Sequence, residues 1–200
     1  ERYQQILSER PGYAPAEQAL ERLLTAEERW VELSEALETR MLRLRDEGDV
    51  DGYRAATSRL ATLLAEELSH PERAKDLLDD LLEQDPSYVP ALLAKAAVYE
   101  AMGEDGAMQL TLNRAADLDP QGEQGTMLHL RLAKLEKGVE NRQQHLEKAL
   151  QLDPANIDAG RLLIELYREH ERWDRLAYSL ELVAGRTEEP AARRGLILER

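Results

Sequence analysis

Residues 89–120, VPALLAKAAVYEAMGEDGAMQLTLNRAADLDP, hold one complete helix–turn–helix phrase closing on Asp119-Pro120. Ala91, Leu92, Ala96 and Tyr99 stand at i, i+1, i+5 and i+8, which gathers them on one side of a first helix. Gly103 interrupts the pattern. Met108, Leu112 and Ala115 then recur at i, i+4 and i+7 and mark a second helix. Pro120 stops it, because proline lacks the N–H and pushes the preceding residue out of the α region.

The same ending returns on either side. Asp85-Pro86, Asp119-Pro120 and Asp153-Pro154 follow one another at intervals of 34 residues, and a fixed period of this length marks repeats that stack. Further out, Pro11 precedes Trp30 by 19 residues, as Pro154 precedes Trp173, and both tryptophans sit in the phrase Glu-Arg-Trp-x-x-Leu. Pro11 and Pro86 are separated by two periods and seven residues. Seven residues are close to two helical turns, so the added length need not rotate an apolar face. It is expected between Met41 and Tyr53, with Asp46-Glu47-Gly48-Asp49 as the turn between two lengthened helices.

Ala91, Leu92, Ala96, Tyr99, Gly103, Leu112, Ala115, Leu118 and Pro120 together resemble the tetratricopeptide repeat (TPR) signature. The final unit matches through Ala159, Leu163, Tyr167, Trp173, Leu176 and Leu180, and the fourth through residues 145–154. The resemblance implies an all-α, right-handed α-solenoid of about five helix–turn–helix repeats in a single array over residues 1–200. Its units are expected at 12–48, 49–86, 87–120, 121–154 and 155–189, with partial helices at 1–10 and 190–200. Glu1 and Arg200 both fall inside amphipathic segments, so the chain is expected to be cut from a longer array. Thr25 and Glu28 have capping-box spacing before Trp30. Pro15, Pro71, Pro90 and Pro190 suit first helical turns, where no N–H is needed.

Composition agrees. Phe is absent, aromatics make up 4%, and the apolar residues are mostly Leu and Ala, which favour helix over strand. Forty acidic residues against 26 basic leave a net charge of −14. Such a surface repels phosphate backbones, so nucleic acid is not expected as a partner. No run of about 18 apolar residues could span a bilayer, and membrane insertion is not expected. Without cysteine, disulfides and thiolate metal sites are excluded. Either redox compartment is allowed, with a cytoplasmic location favoured.

Chemistry-bearing patterns are sparse. Glu67-x-x-His70 has the spacing of helical di-metal ligands but no second copy, and His70 adjoins Pro71 at a helix end. Glu47, Asp49, Asp51 and Gly52 imitate a calcium loop whose twelfth position, Ser58, lacks the required Glu; Asp49 or Asp51 is better placed as a helix N-cap. His129, His145 and His170 have no partners at metal-ligand spacing in the sequence. Gly103-x-x-Gly106 and Gly122-x-x-Gly125 lack the preceding strand of a phosphate loop. No catalytic residue, metal or cofactor is expected, and the chain is not expected to be an enzyme.

In the resembling family the first helix of each unit lines a concave face that holds a peptide or a partner's helix. Matching positions here are Arg22, Arg59, Leu93, Ala97, Arg131, Lys134, Arg161, Glu165 and Arg168, alongside Glu66, Glu100 and Glu169. Half of these twelve are basic in a chain dominated by acids. Arg22 with Arg59, and Arg131 with Arg161, recur in one diagonal relation. Arginine binds carboxylates through two parallel hydrogen bonds, so an acidic protein segment is the expected partner. The competing reading pairs these arginines with neighbouring glutamates on solvated helix faces. The carboxylate-clamping chaperone-binding subfamily is not matched, because its Lys and Asn positions hold Gln18, Arg22, Arg131 and Arg161. A protein-interaction scaffold is therefore the first expectation. A spacer that self-associates through its cut repeat ends is the second, and an RNA-processing half-repeat scaffold is disfavoured by the scarcity of aromatics.

Overall fold

The computed structural model describes residues 2–119, 124–172 and 175–176. Regular structure among them is entirely helical. In chain order the helices are α1 (Arg2–Glu9), α2 (Ala14–Ala26), α3 (Trp30–Glu47), α4 (Val50–Glu66), α5 (Pro71–Gln84), α6 (Val89–Met102), α7 (Asp105–Leu118), α8 (Gly125–Leu135), α9 (Val139–Leu152) and α10 (Ile157–Glu169). The chain divides into two units, residues 1–115 and 116–200.

Helix ends follow from local chemistry. Pro15, Pro71 and Pro90 occupy first-turn positions, where the missing N–H costs nothing. Asp49 accepts a hydrogen bond from the Gly52 N–H at 2.9 Å, and Asn156 accepts one from the Ala159 N–H at 2.9 Å. Each side chain satisfies an otherwise orphaned donor at a helix start. Gly48 and Gly103 stop α3 and α6 in the left-handed region, at φ +74° and +72°, where glycine alone carries no steric penalty. At 18 and 17 residues, α3 and α4 exceed the 14 residues common among the other helices. The seven additional residues lie there, on either side of the Gly48 turn.

One expected cap is corrected. Thr25 lies within the last turn of α2, and α3 starts after Arg29 with no side-chain cap. A tight backbone turn does the work instead. Glu28 adopts φ +54°, its N–H reaches the Thr25 carbonyl at 3.2 Å, and the Arg29 N–H reaches the Leu24 carbonyl at 2.9 Å. Glu171 repeats this geometry at φ +54°, with the Arg172 N–H 2.9 Å from the Tyr167 carbonyl. The shared Glu-Arg-Trp phrase thus marks one turn used twice. Pro120, Gly122, Trp173, Leu180, Pro190 and the expected segment 190–200 lie outside the described residues.

In the first unit α3 packs on α2 and α4, and α4 packs on both α5 and α6. Leu33, Leu60, Leu64, Leu78, Leu92 and Leu112 are fully buried there, with Ala61, Ala74, Ala91 and Ala96 between them. Alanine lets helices approach, and leucine fills the space beside it. Truncating a buried leucine of this kind costs about 2–5 kcal/mol. In the second unit α9 packs on α8 and α10 around Leu130, Ala133, Leu146, Ala149, Ala159, Leu163, Leu166 and Tyr167. The Arg73–Glu38 ion pair between hairpins, at 2.7 Å, is solvent-accessible and contributes little; Arg54–Asp85, at 3.1 Å, ties α4 to the end of α5 within one hairpin.

A non-glycine residue in the left-handed region costs roughly 1–2 kcal/mol, and glycine's added freedom when unfolded takes back part of any relief. Glu28→Gly is expected to stabilise the chain by about 0.5–1 kcal/mol, raising Tm by about 1–3 °C. Calorimetry of the two proteins checks this, and a lowered Tm would contradict it.

Candidate docking faces on the first helices

Each position singled out in the sequence falls on the first helix of a hairpin: Arg22 on α2, Arg59 and Glu66 on α4, Leu93, Ala97 and Glu100 on α6, Arg131 and Lys134 on α8, and Arg161, Glu165, Arg168 and Glu169 on α10. Arg22, Arg59, Lys134, Arg161, Glu165 and Arg168 are exposed, whereas Leu93, Ala97 and Arg131 are half-buried.

In the first unit the structure brings Arg22 and Arg59 to one cleft of about 500 Å³, lined also by Gln18, Glu21, Thr25 and Ala26. The two arginines are not equivalent. Arg59 Nε donates to Glu21 at 3.3 Å, and Arg40 approaches the other oxygen of Glu21 at 3.8 Å. Arg22 has no ion pair among the described residues. Arg40 also lies 3.4 Å from Glu17, and the cleft's own lining carries two guanidinium groups against the single carboxylate of Glu21. In the second unit Lys134 and Arg161 likewise have no ion pair among the described residues, while Arg131 and Arg168 have partners of their own. Solvated pairing accounts for some of these cations and leaves Arg22, Lys134 and Arg161 with no ion pair among the described residues.

The other sequence candidates are placed plainly. Glu67 caps the end of α4 and His70 precedes α5, both exposed. Asp49 is occupied as the α4 N-cap. Among the described residues no group of three or more His, Asp or Glu is arranged to hold a metal, and no helix is long and apolar enough to cross a membrane.

Two features were invisible to spacing. His129 and His145, 16 residues apart on α8 and α9, meet with their Nδ1 atoms 3.1 Å apart and their rings stacked. Burial lowers the pKa of both rings, and for His129 the neighbouring His145 and Lys148 lower it further. Only the α8–α9 turn could have revealed the contact. Nearby, Glu147 accepts hydrogen bonds from Tyr167 Oη at 2.9 Å and Gln143 Nε2 at 2.7 Å, while Arg172 donates to Gln143 Oε1 at 2.8 Å. Burial, then the bond to Glu147, pushes the Tyr167 hydroxyl up to about 12. This network satisfies buried polar groups where α10 meets α9.

Solved structures share this arrangement of helices. PilF from Pseudomonas aeruginosa superposes with a TM-score of 0.66 at 15% identity, covering 91% of this chain and 80% of its own. MamA from Desulfovibrio magneticus RS-1 gives 0.63 at 17% identity, covering 86% and 94%. YrrB, described as a TPR protein with an unusual peptide-binding site, gives 0.58 at 12% identity, covering 98% and 97%. The chain has a tetratricopeptide-type, all-α repeat solenoid fold. No family model matches it, and no curated protein matches its sequence. The basic positions lie on α2, α4, α8 and α10, whereas α6 carries Leu93, Ala97 and Glu100.

Because Arg22 is exposed and without an ion pair among the described residues, Arg22→Ala is expected to leave the urea midpoint unchanged, as for surface substitutions generally. A clear drop in the midpoint would assign Arg22 a structural role.

Proposed function

We propose that this chain is a non-catalytic protein-interaction module that docks an acidic segment of a protein partner on its first-helix faces. The observation that carries this reading is the Arg22–Arg59 cleft, where Arg22 is left without a counter-charge among the described residues. A carboxylate entering there would find the fork geometry that arginine offers. The helices already fix the backbone, so the ordering cost on this chain is confined to the arginine side chains. The fold supports the reading: YrrB, a neighbour in structure, is described as having a peptide-binding site. Lys134 and Arg161 supply further cations in the second unit, with no ion pair among the described residues. Leu93 and Ala97 on α6 are half-buried and would offer the same segment apolar contact.

A spacer or self-assembling role is the second reading, favoured by the large apolar side chains at the surface. Leu110 is 74% exposed and Met127 64% exposed, each on its own unit. Light scattering across a concentration series separates the two, since mass rising with concentration supports assembly.

The docking reading is tested with a fluorescent octaglutamate peptide and its octaglutamine counterpart. Octaglutamate is expected to bind, weakening as salt rises. Arg22→Glu with Arg161→Glu is expected to weaken binding at least tenfold, about 1.4 kcal/mol, while the helical circular dichroism signal persists. Equal binding of both peptides, or no change in the double variant, removes the proposal.

A further inference from the structure

We propose that His129 and His145 form a proton-sensitive clasp between α8 and α9, closed when the rings share a single hydrogen bond and opened when both are protonated. His129, on α8, is only 7% exposed, and His145 is half-buried on α9. Their Nδ1 atoms lie 3.1 Å apart, and the ring centroids 5.3 Å apart at 30°. Two identical nitrogens attract only when one bears a proton and the other a lone pair. The neutral rings must therefore adopt opposite tautomers, one protonated on Nδ1 and its partner on Nε2. The donating ring can take a first proton on its free Nε2 and keep the bond; a second, on the accepting Nδ1, removes the acceptor between the rings. Two donors, both cationic, would then face each other across a seam that also contains Leu130, Ala133, Leu146 and Ala149. The rings have to part.

The surrounding charges do not prevent this. Lys148, on α9, adds positive charge facing His129. Glu136, at the end of α8, is the carboxylate that bears on His145 and offsets part of the repulsion. From α10 and the segment beyond it, Tyr167 and Arg175 are directed to Glu147, and Arg172 to Gln143 and Glu140. Those groups engage a different part of α9.

The sign follows from the directions. Both rings titrate below the ordinary histidine value in the folded chain, so the unfolded chain takes up protons first. Stability from the clasp is complete above about 6.5 and declines as pH falls through that value toward the folded pKa values. Arg131 and Lys134 share α8 with the clasp, but the inference stands independently of any docking there.

Imidazole ¹⁵N NMR from pH 8 to 4.5 is the direct test. Opposite tautomers are expected for His129 and His145 at pH 7.5, with both titrating below the ordinary histidine value of about 6.5. Protection of α8 and α9 amides, corrected for intrinsic exchange, is expected to fall at least tenfold through that titration. Matching tautomers, titration of both rings at the ordinary histidine value, or unchanged protection would overturn the proposal. As a second readout, His129→Asn with His145→Asn keeps a donor–acceptor pair that cannot be protonated. Its Tm should depend less on pH between 7.5 and 5 than that of the parent chain, and an equal dependence would also count against the clasp.

Discussion

Everything in this chain depends on apolar seams shared between neighbouring helices. No single helix here could bury its own stripe. Leu33, Leu60, Leu64 and Leu78 are removed from water only because α3, α4 and α5 lie against one another, and the same holds for Leu146, Leu163 and Leu166 on α9 and α10. Stability in such an arrangement accumulates from the hairpins and the interfaces between neighbours. The alanines matter as much as the leucines, since Ala61, Ala74, Ala91 and Ala96 are wholly buried where a larger side chain would force the helices apart.

That mode of construction frees the surface for recognition. Core formation consumes few charged groups, so the 40 acids and 26 bases of the chain are distributed by other requirements. Many bases are neutralised locally: Arg29 by Glu27 and Glu32, Arg43 by Glu17 and Glu47, Lys95 by Asp79. Against this background Arg22, Lys134 and Arg161 stand apart, exposed and with no ion pair among the described residues. Polar groups inside the seams behave in the opposite way. Gln143, Tyr167 and Glu147 satisfy one another, and the His129–His145 contact does so only while one of the two Nδ1 atoms carries no proton.

Much of this was legible in the sequence, and the limits have physical causes. The 34-residue recurrence of Asp-Pro located the helices because proline and glycine act on the backbone of their own residue. The seven additional residues could be placed because Gly48 marks a turn irrespective of context. The Thr25–Glu28 cap failed because the Glu-Arg-Trp phrase makes a left-handed turn that a spacing rule does not anticipate. The histidine pair escaped because contacts across a hairpin depend on where the two helices align, and residues 16 apart have no periodic relation. Pairing of Arg59 with Glu21, 38 residues away, was hidden for the same reason, although the general possibility of such pairing was foreseeable.

The most direct measurement is an amide chemical-shift map of the full chain titrated with octaglutamate. Docking on the first helices requires the shifted residues to concentrate on α2, α4, α8 and α10, centred on Arg22, Arg59, Lys134 and Arg161. Shifts confined to α3, α5 and α9, or spread evenly over every exposed lysine and arginine, would contradict it.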